Sequence, residues 1–169
     1  MRSARLKLKL AAIALAILGI VGVRSGAEWY SREPPNYSRI EEGLWLGGFV
    51  PKPPTRTQAV LNLCETEDAY RADLTRWEPI RDAEPAPSLE WLSEQVEFIE
   101  SSRAGGRVVY VHCRNGVSRS AMVVAAYLMR REGWSRDQSL EFLRSRRPIV
   151  RPNPAFMMLL LEWERKLKG

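Results

Sequence analysis

The stretch "VVYVHCRNGVSRSAMVVAAYLM", Val108 to Met129, opens as a continuous apolar, β-branched run and ends in residues suited to a helix. A continuous run of this kind marks a strand buried on both faces, and a strand passing through a short loop into a helix is the repeating unit of an α/β sheet. The connection is Cys113, Arg114, Asn115, Gly116, Val117, Ser118 and Arg119, and the chain's only histidine, His112, stands immediately before it. Backbone N–H groups of such a loop, together with those of the helix N-terminus, make an anion-binding nest.

A phosphate dianion fits that nest. Arg119 can close the ring as a bidentate guanidinium, a planar fork that lysine does not reproduce. The same groups make a thiolate of Cys113. Bringing a thiol from roughly 8.5 down to about 5.5 needs ~4 kcal/mol of differential stabilisation. A helix terminus supplies at most ~2 kcal/mol, so the loop N–H groups, Arg119 and the hydroxyl of Ser120 must provide the remainder. His112 is placed to fix the geometry of the loop rather than to act as a base.

Charge distribution narrows the partners. The net charge of +6 suggests nucleic acid until it is divided along the chain. Residues 1–27 carry Arg2, Arg5, Lys7, Lys9 and Arg24 and no acid, which leaves 21 basic against 20 acidic side chains for the rest. Of these, residues 28–100 hold 7 basic and 15 acidic, and residues 101–169 hold 14 basic and 5 acidic. Nucleic acid is therefore not expected as a partner, whereas the C-terminal half offers a positive surface to an anionic substrate. Two cysteines, Cys64 and Cys113, are too few for a disulfide scaffold, and one histidine leaves little for a zinc site. A mechanism without metal or cofactor is the expectation.

Three segments follow from the pattern. Residues 1–27 have a basic start and an apolar run of 14 residues, Leu10 to Val23, extended by Leu6 and Leu8 if the intervening lysines snorkel. This run is short for a spanning helix and matches a signal-peptide core, with Ser25-Gly26-Ala27 offering small residues for cleavage. The expectation is an N-terminal hydrophobic helix acting as a single-pass membrane anchor, with a cleaved signal peptide as the alternative. Either way the basic flank predicts an extracytoplasmic main domain. Residues 28–38 read as a proline-punctuated linker, and 39–169 as one globular domain.

Within that domain "GLWLGG", "AVLNLC" and "RVVYVH" read as strands and "WEPI" as a weaker one. Ser88 caps a helix with Leu89, Leu92, Val96 and Ile99 inside, a second helix runs from about Ser118 to Arg131, and Ser135 with Gln138 forms a capping box for a third. The last starts at Asn153-Pro154 and is expected to bury Phe156, Leu160, Trp163 and Leu167. Trp77, Trp91 and Trp163 are expected in the core, and Asp68 and Asp73 in a solvated connection. The fold class is α/β, a mostly parallel central sheet flanked by helices.

"HCRNGVSRS" resembles the His-Cys-x5-Arg-Ser signature of the cysteine-dependent dual-specificity and tyrosine phosphatases. "EEGLWLGG" resembles the family's opening strand and "RRPIVRPNPAF" its approach to the last helix, so the likeness covers about Ile40 to Leu167. It implies a cysteine-phosphatase fold and a phosphoester hydrolase with Cys113 as nucleophile, Arg119 and the loop residues Arg114, Asn115, Gly116, Val117 and Ser118 around the phosphate, and Ser120 beside the sulfur. Asp82 lies in a proline-bounded loop 31 residues before Cys113, a separation that resembles the family's acid loop, and Glu84 is the second candidate. Asn153 is a helix cap and, by the resemblance, a partner of the loop. Arg114 reads as a solvated or substrate-facing charge.

Substrates implied by the resemblance are phosphorylated proteins on tyrosine and serine or threonine, with anionic phospholipids as the alternative. "YVHCR" and "SRSAMVVAAYL" are similar to the phosphatidylglycerophosphate phosphatases, and "LNLCETEDAY" resembles the tensin-type phosphoinositide phosphatases, whose cysteine at the position of Cys64 traps the oxidised nucleophile. Two readings of other classes share the anion loop. A sulfurtransferase needs neither Asp82 nor Ser120, and a silent phosphate-binding module would ordinarily lack Cys113, Arg119 or the acid.

Overall fold

In the computed structural model, residues 36–169 are described; the expected N-terminal helix and most of the linker lie outside them. Five strands, β1 (Tyr37–Glu41), β2 (Leu44–Gly47), β3 (Thr57–Asn62), β4 (Leu74–Trp77) and β5 (Val108–His112), form one sheet in the order β1-β2-β5-β3-β4. β1 and β2 are an antiparallel hairpin, and every other pairing is parallel. The sheet is thus mixed and mostly parallel.

β5 lies at its centre because its run of apolar residues can be buried on both faces. Val109 and Val111 point into the main core, and Tyr110 between them points the other way. The main core is covered by α1 (Leu89–Ala104), α2 (Arg119–Glu132), α3 (Arg136–Arg146) and α4 (Pro154–Lys168). On the opposite face Tyr110 packs with Val50 and Val60 under Tyr37, Trp45, Tyr70 and Ala72, none of them helical.

Local chemistry sets the helix ends. Ser88, Ser135 and Asn153 each accept a backbone N–H three residues on, and Gln138 returns a bond to the Ser135 N–H to complete the capping box. Gly133 ends α2 in the left-handed region, at φ 69°. Trp163 anchors α4 by burying its ring and donating its indole N–H to the Ala126 carbonyl, 3.0 Å away.

Four expectations are corrected. β1 begins at Tyr37, inside the segment read as linker, because Arg39 and Glu41 face the rim while Ile40 enters the core. The strand expected at "WEPI" lies earlier and ends at Trp77, since Pro79 cannot donate to a ladder. Trp77 is 44% exposed, as the fourth strand is the edge of the sheet, and its indole donates to the Cys64 carbonyl at 2.9 Å. Leu167, 39% exposed, lies in the last turn of α4, beyond the packed part of the helix.

Candidate active site

The C-terminal ends of β3 and β5 meet at one edge of the sheet, and the loop Cys113–Ser118 rises from that edge into α2. Gly47 and Gly48, at the end of β2, brace it. The Cys113 N–H donates to the Gly47 carbonyl at 3.3 Å, and the Phe49 N–H to the Arg114 carbonyl at 3.0 Å. Gly116 has φ 65°, and a Cβ there would stand 2.3 Å from the Gly47 carbonyl carbon, so only glycine fits this close crossing.

Arg147 holds the loop from beneath. Its Nε donates to the Gly116 carbonyl at 2.8 Å and its Nη2 to the Asn115 carbonyl at 3.0 Å and to the Asn36 side chain. Two loop carbonyls are thereby tied to a buried cation, and burial holds the guanidinium below its ordinary pKa.

The Cys113 thiol is buried, and burial alone would raise its pKa. The Ser120 hydroxyl at 3.3 Å, the backbone N–H groups of Ser120 and Gly116, and the Arg119 guanidinium outweigh that and hold it below the ordinary thiol value. The same hydroxyl lies 3.3 Å from the Gly47 carbonyl, which competes with the sulfur for its single hydrogen.

Arg119 is 4% exposed. Its Nη1 faces the Leu63 carbonyl at 3.1 Å, the Ile80 carbonyl at 2.8 Å and the Glu65 carboxylate at 2.8 Å. Burial would lower its pKa, but the bond to Glu65 and attraction to Cys113, Glu65 and Asp82 raise it above the ordinary value. Its buried Nε–H has no partner among the described residues, which leaves a donor of the fork for an anion.

Asp82 stands at the rim. Its Oδ1 accepts from the Ser118 hydroxyl at 2.6 Å and from the Asn153 amide at 2.8 Å. Ser118 also accepts the Asn153 backbone N–H at 3.0 Å, so the segment around Asp82, the loop Cys113–Ser118 and the start of α4 are stitched together by three bonds. Ser118 makes no capping bond with its own helix, so its side chain leaves the first N–H groups of α2 uncapped. Glu84 makes none of these contacts, and Arg114 is exposed.

His112 is fully buried, with Nε2 3.0 Å from Asp68 Oδ2, Nδ1 3.7 Å from the Cys64 sulfur, and its ring stacked on Tyr110. Asp68 is therefore no solvated residue. Its side chain is 3% exposed, because the connection after β3 folds back over the sheet to meet the histidine. Asp73 is exposed, as its composition suggested. Glu65 and Arg147 were not singled out from the sequence, and Asp68 was read there only as a solvated charge. Each pairs with a residue at least 30 positions away, a separation that local pattern does not carry. Among the described residues no group of three His, Cys, Asp or Glu side chains is arranged to hold a metal ion.

A buried cysteine of lowered pKa in an anion loop, closed by an arginine and rimmed by an aspartate, is the arrangement that nucleophilic cleavage of phosphoesters by a cysteine calls for. Residues 55–166 match the family model described as the dual specificity phosphatase, catalytic domain, and the chain belongs to that family. Human Dual specificity protein phosphatase 16 is 40% identical over 91 residues, 54% of this chain and 14% of that protein. Rat Protein phosphatase Slingshot homolog 3 is 40% identical over 111 residues, 64% of this chain and 17% of that protein. The chain thus spans less than a quarter of the length of the curated relatives it matches. Among solved structures, PTPMT1 in complex with PI(5)P superposes with a TM-score of 0.69 at 26% identity, covering 79% of this chain and 97% of that one.

Proposed function

We propose that the chain hydrolyses phosphomonoesters of proteins, on tyrosine and on serine or threonine, through a cysteinyl-phosphate. The observation that carries this is the Cys113 thiol held below its ordinary pKa in the same loop whose Ser118 holds Asp82. The Cys113 thiolate attacks phosphorus, the ester oxygen leaves with the proton of Asp82, and Arg119 with the loop N–H groups holds the equatorial oxygens. Asp82, now a carboxylate, takes a proton from water, the hydroxide attacks phosphorus, and the thiolate departs beside Ser120 to release inorganic phosphate.

The test pairs a para-nitrophenyl phosphate assay with a thiosulfate assay. Phosphate release is expected from the aryl ester and is abolished in Cys113→Ser, which retains vanadate binding. Turnover of thiosulfate alone would establish a sulfurtransferase, and vanadate binding without turnover in the wild type a silent module.

A second reading, an anionic phospholipid as substrate, draws support from the likeness to PTPMT1 solved with PI(5)P. Phosphopeptides and phospholipid vesicles assayed side by side discriminate the two. The basic start and apolar run of residues 1–27 support a membrane anchor with the catalytic domain extracytoplasmic. Deletion of residues 1–27 is expected to leave a soluble, active domain.

A further inference from the structure

A groove of about 560 Å³ runs from the acid loop along α4, lined by Glu84, Pro85, Pro87, Met158, Leu159 and Glu162. It starts at the rim of the active site. Asp82, two residues before Glu84, is bonded to Asn153, the cap of the same helix. Ala155, Met158, Leu159 and Glu162 follow the i, i+3, i+4, i+7 spacing and form one stripe of α4.

We infer that this groove is a substrate-reading surface, taking the polypeptide beside the phosphorylated residue and favouring an apolar side chain followed by a lysine or arginine. The inference rests on the phosphatase reading above and adds the class of protein substrate.

Charge supports this occupant. Glu84 and Glu162 are both exposed, and neither has an ion-pair or hydrogen-bond partner among the described residues. Other acids nearby are engaged, Glu164 with Lys168 and Arg136, Asp82 with Ser118 and Asn153. Two unpaired carboxylates bordering an apolar floor complement a cationic side chain of a peptide. The floor itself is Leu159, buried, under Met158, which is 55% exposed and has the flexible thioether suited to varied apolar partners.

Length fixes the register. Nine helical steps separate Asn153 from Glu162, about 13 Å at 1.5 Å per residue. That is roughly four residues of extended chain. For a peptide that leaves past Asp82 with its phosphorylated residue level with Asn153, this span brings an apolar residue to Met158 and a base about four positions away to Glu162.

Two series of phosphotyrosine peptides test this, with arginine, alanine or glutamate four residues before or four residues after the phosphotyrosine. Arginine is expected to raise kcat/KM about fivefold over glutamate in one of the two series at low ionic strength, the preference shrinking as salt is added. Glu162→Gln should abolish the preference and Glu162→Lys reverse it, while para-nitrophenyl phosphate turnover stays at the wild-type rate and reports intact folding. No preference in either series, or one unaltered by both variants, overturns the groove assignment. So does turnover restricted to anionic phospholipid vesicles. Loss of para-nitrophenyl phosphate turnover in the wild type would instead remove the phosphatase reading on which the assignment stands.

Discussion

Asp68 Oδ2 and His112 Nε2 lie 3.0 Å apart with both side chains withdrawn from solvent, and the histidine immediately precedes Cys113. The pair ties the connection after β3 to the end of β5. Truncating the acid strands a buried imidazole nitrogen, and an unsatisfied buried polar group costs about 1–3 kcal/mol. Asp68→Ala is therefore expected to lower the free energy of unfolding in urea by that amount, with an earlier midpoint, and to reduce kcat on para-nitrophenyl phosphate as the loop loosens. An unchanged midpoint would mean that the pair contributes no net stability.

The lowered pKa of Cys113 sets the pH dependence of its reactivity. Iodoacetate alkylation at this thiol should reach half its maximal rate below the ordinary thiol range, near 8.5. Because the folded-state value is depressed, the ionised sulfur stabilises the fold above the unfolded thiol pKa, and that stabilisation fades as pH falls through the folded value. In Ser120→Ala the sulfur loses its nearest donor, so the alkylation midpoint should move to higher pH. A midpoint unmoved by this substitution would assign the stabilisation to Arg119 and the backbone alone.

Much of this site can be read directly from the sequence. The strand, loop and helix around Cys113 are contiguous, and caps such as Ser88, Ser135 and Asn153 act over three residues. Periodicity and local chemistry are enough for both. The supports are different. Glu65, Asp68 and Arg147 act across the sheet edge, and each resembles an ordinary surface charge until the chain folds. Trp77 failed for the opposite reason: an aromatic residue suggests a core, but only the strand order shows that β4 is an edge.

Asp82 is proposed to protonate the leaving oxygen, and its two bonds to Ser118 and Asn153 aim it across the loop. Asp82→Asn should lower kcat about 10²- to 10³-fold on alkyl phosphates and much less on para-nitrophenyl phosphate, whose phenolate leaves without help. Asn153→Ala, which frees the carboxylate without removing it, should give the same selectivity at smaller size. Equal losses on both substrates would exclude Asp82 as the proton donor.

Cys64 follows the end of β3 and Cys113 follows the end of β5, parallel neighbours in which Asn62 pairs with His112. The two thiols thus emerge at one sheet edge, offset by one residue, and both are free. Their chemistry differs. Burial, reinforced by the nearby Cys113, pushes the Cys64 thiol up to about 12, so peroxide is expected to reach Cys113 first. Peroxide oxygen converts the Cys113 thiolate to a sulfenic acid. Cys64 then attacks its sulfur, the S–S bond forms, and hydroxide leaves with the Cys64 proton as water. His112 Nδ1, 3.7 Å from the Cys64 sulfur, is positioned to receive that proton in transit. Cys64 itself lines a cavity of about 260 Å³, together with Phe49, Glu65, Thr66 and Arg114. After peroxide and then dithiothreitol, the wild type should regain activity, while Cys64→Ser should regain much less because oxidation proceeds to the sulfinic acid. Equal recovery in the two proteins would show that Cys64 is a packing residue with no protective role.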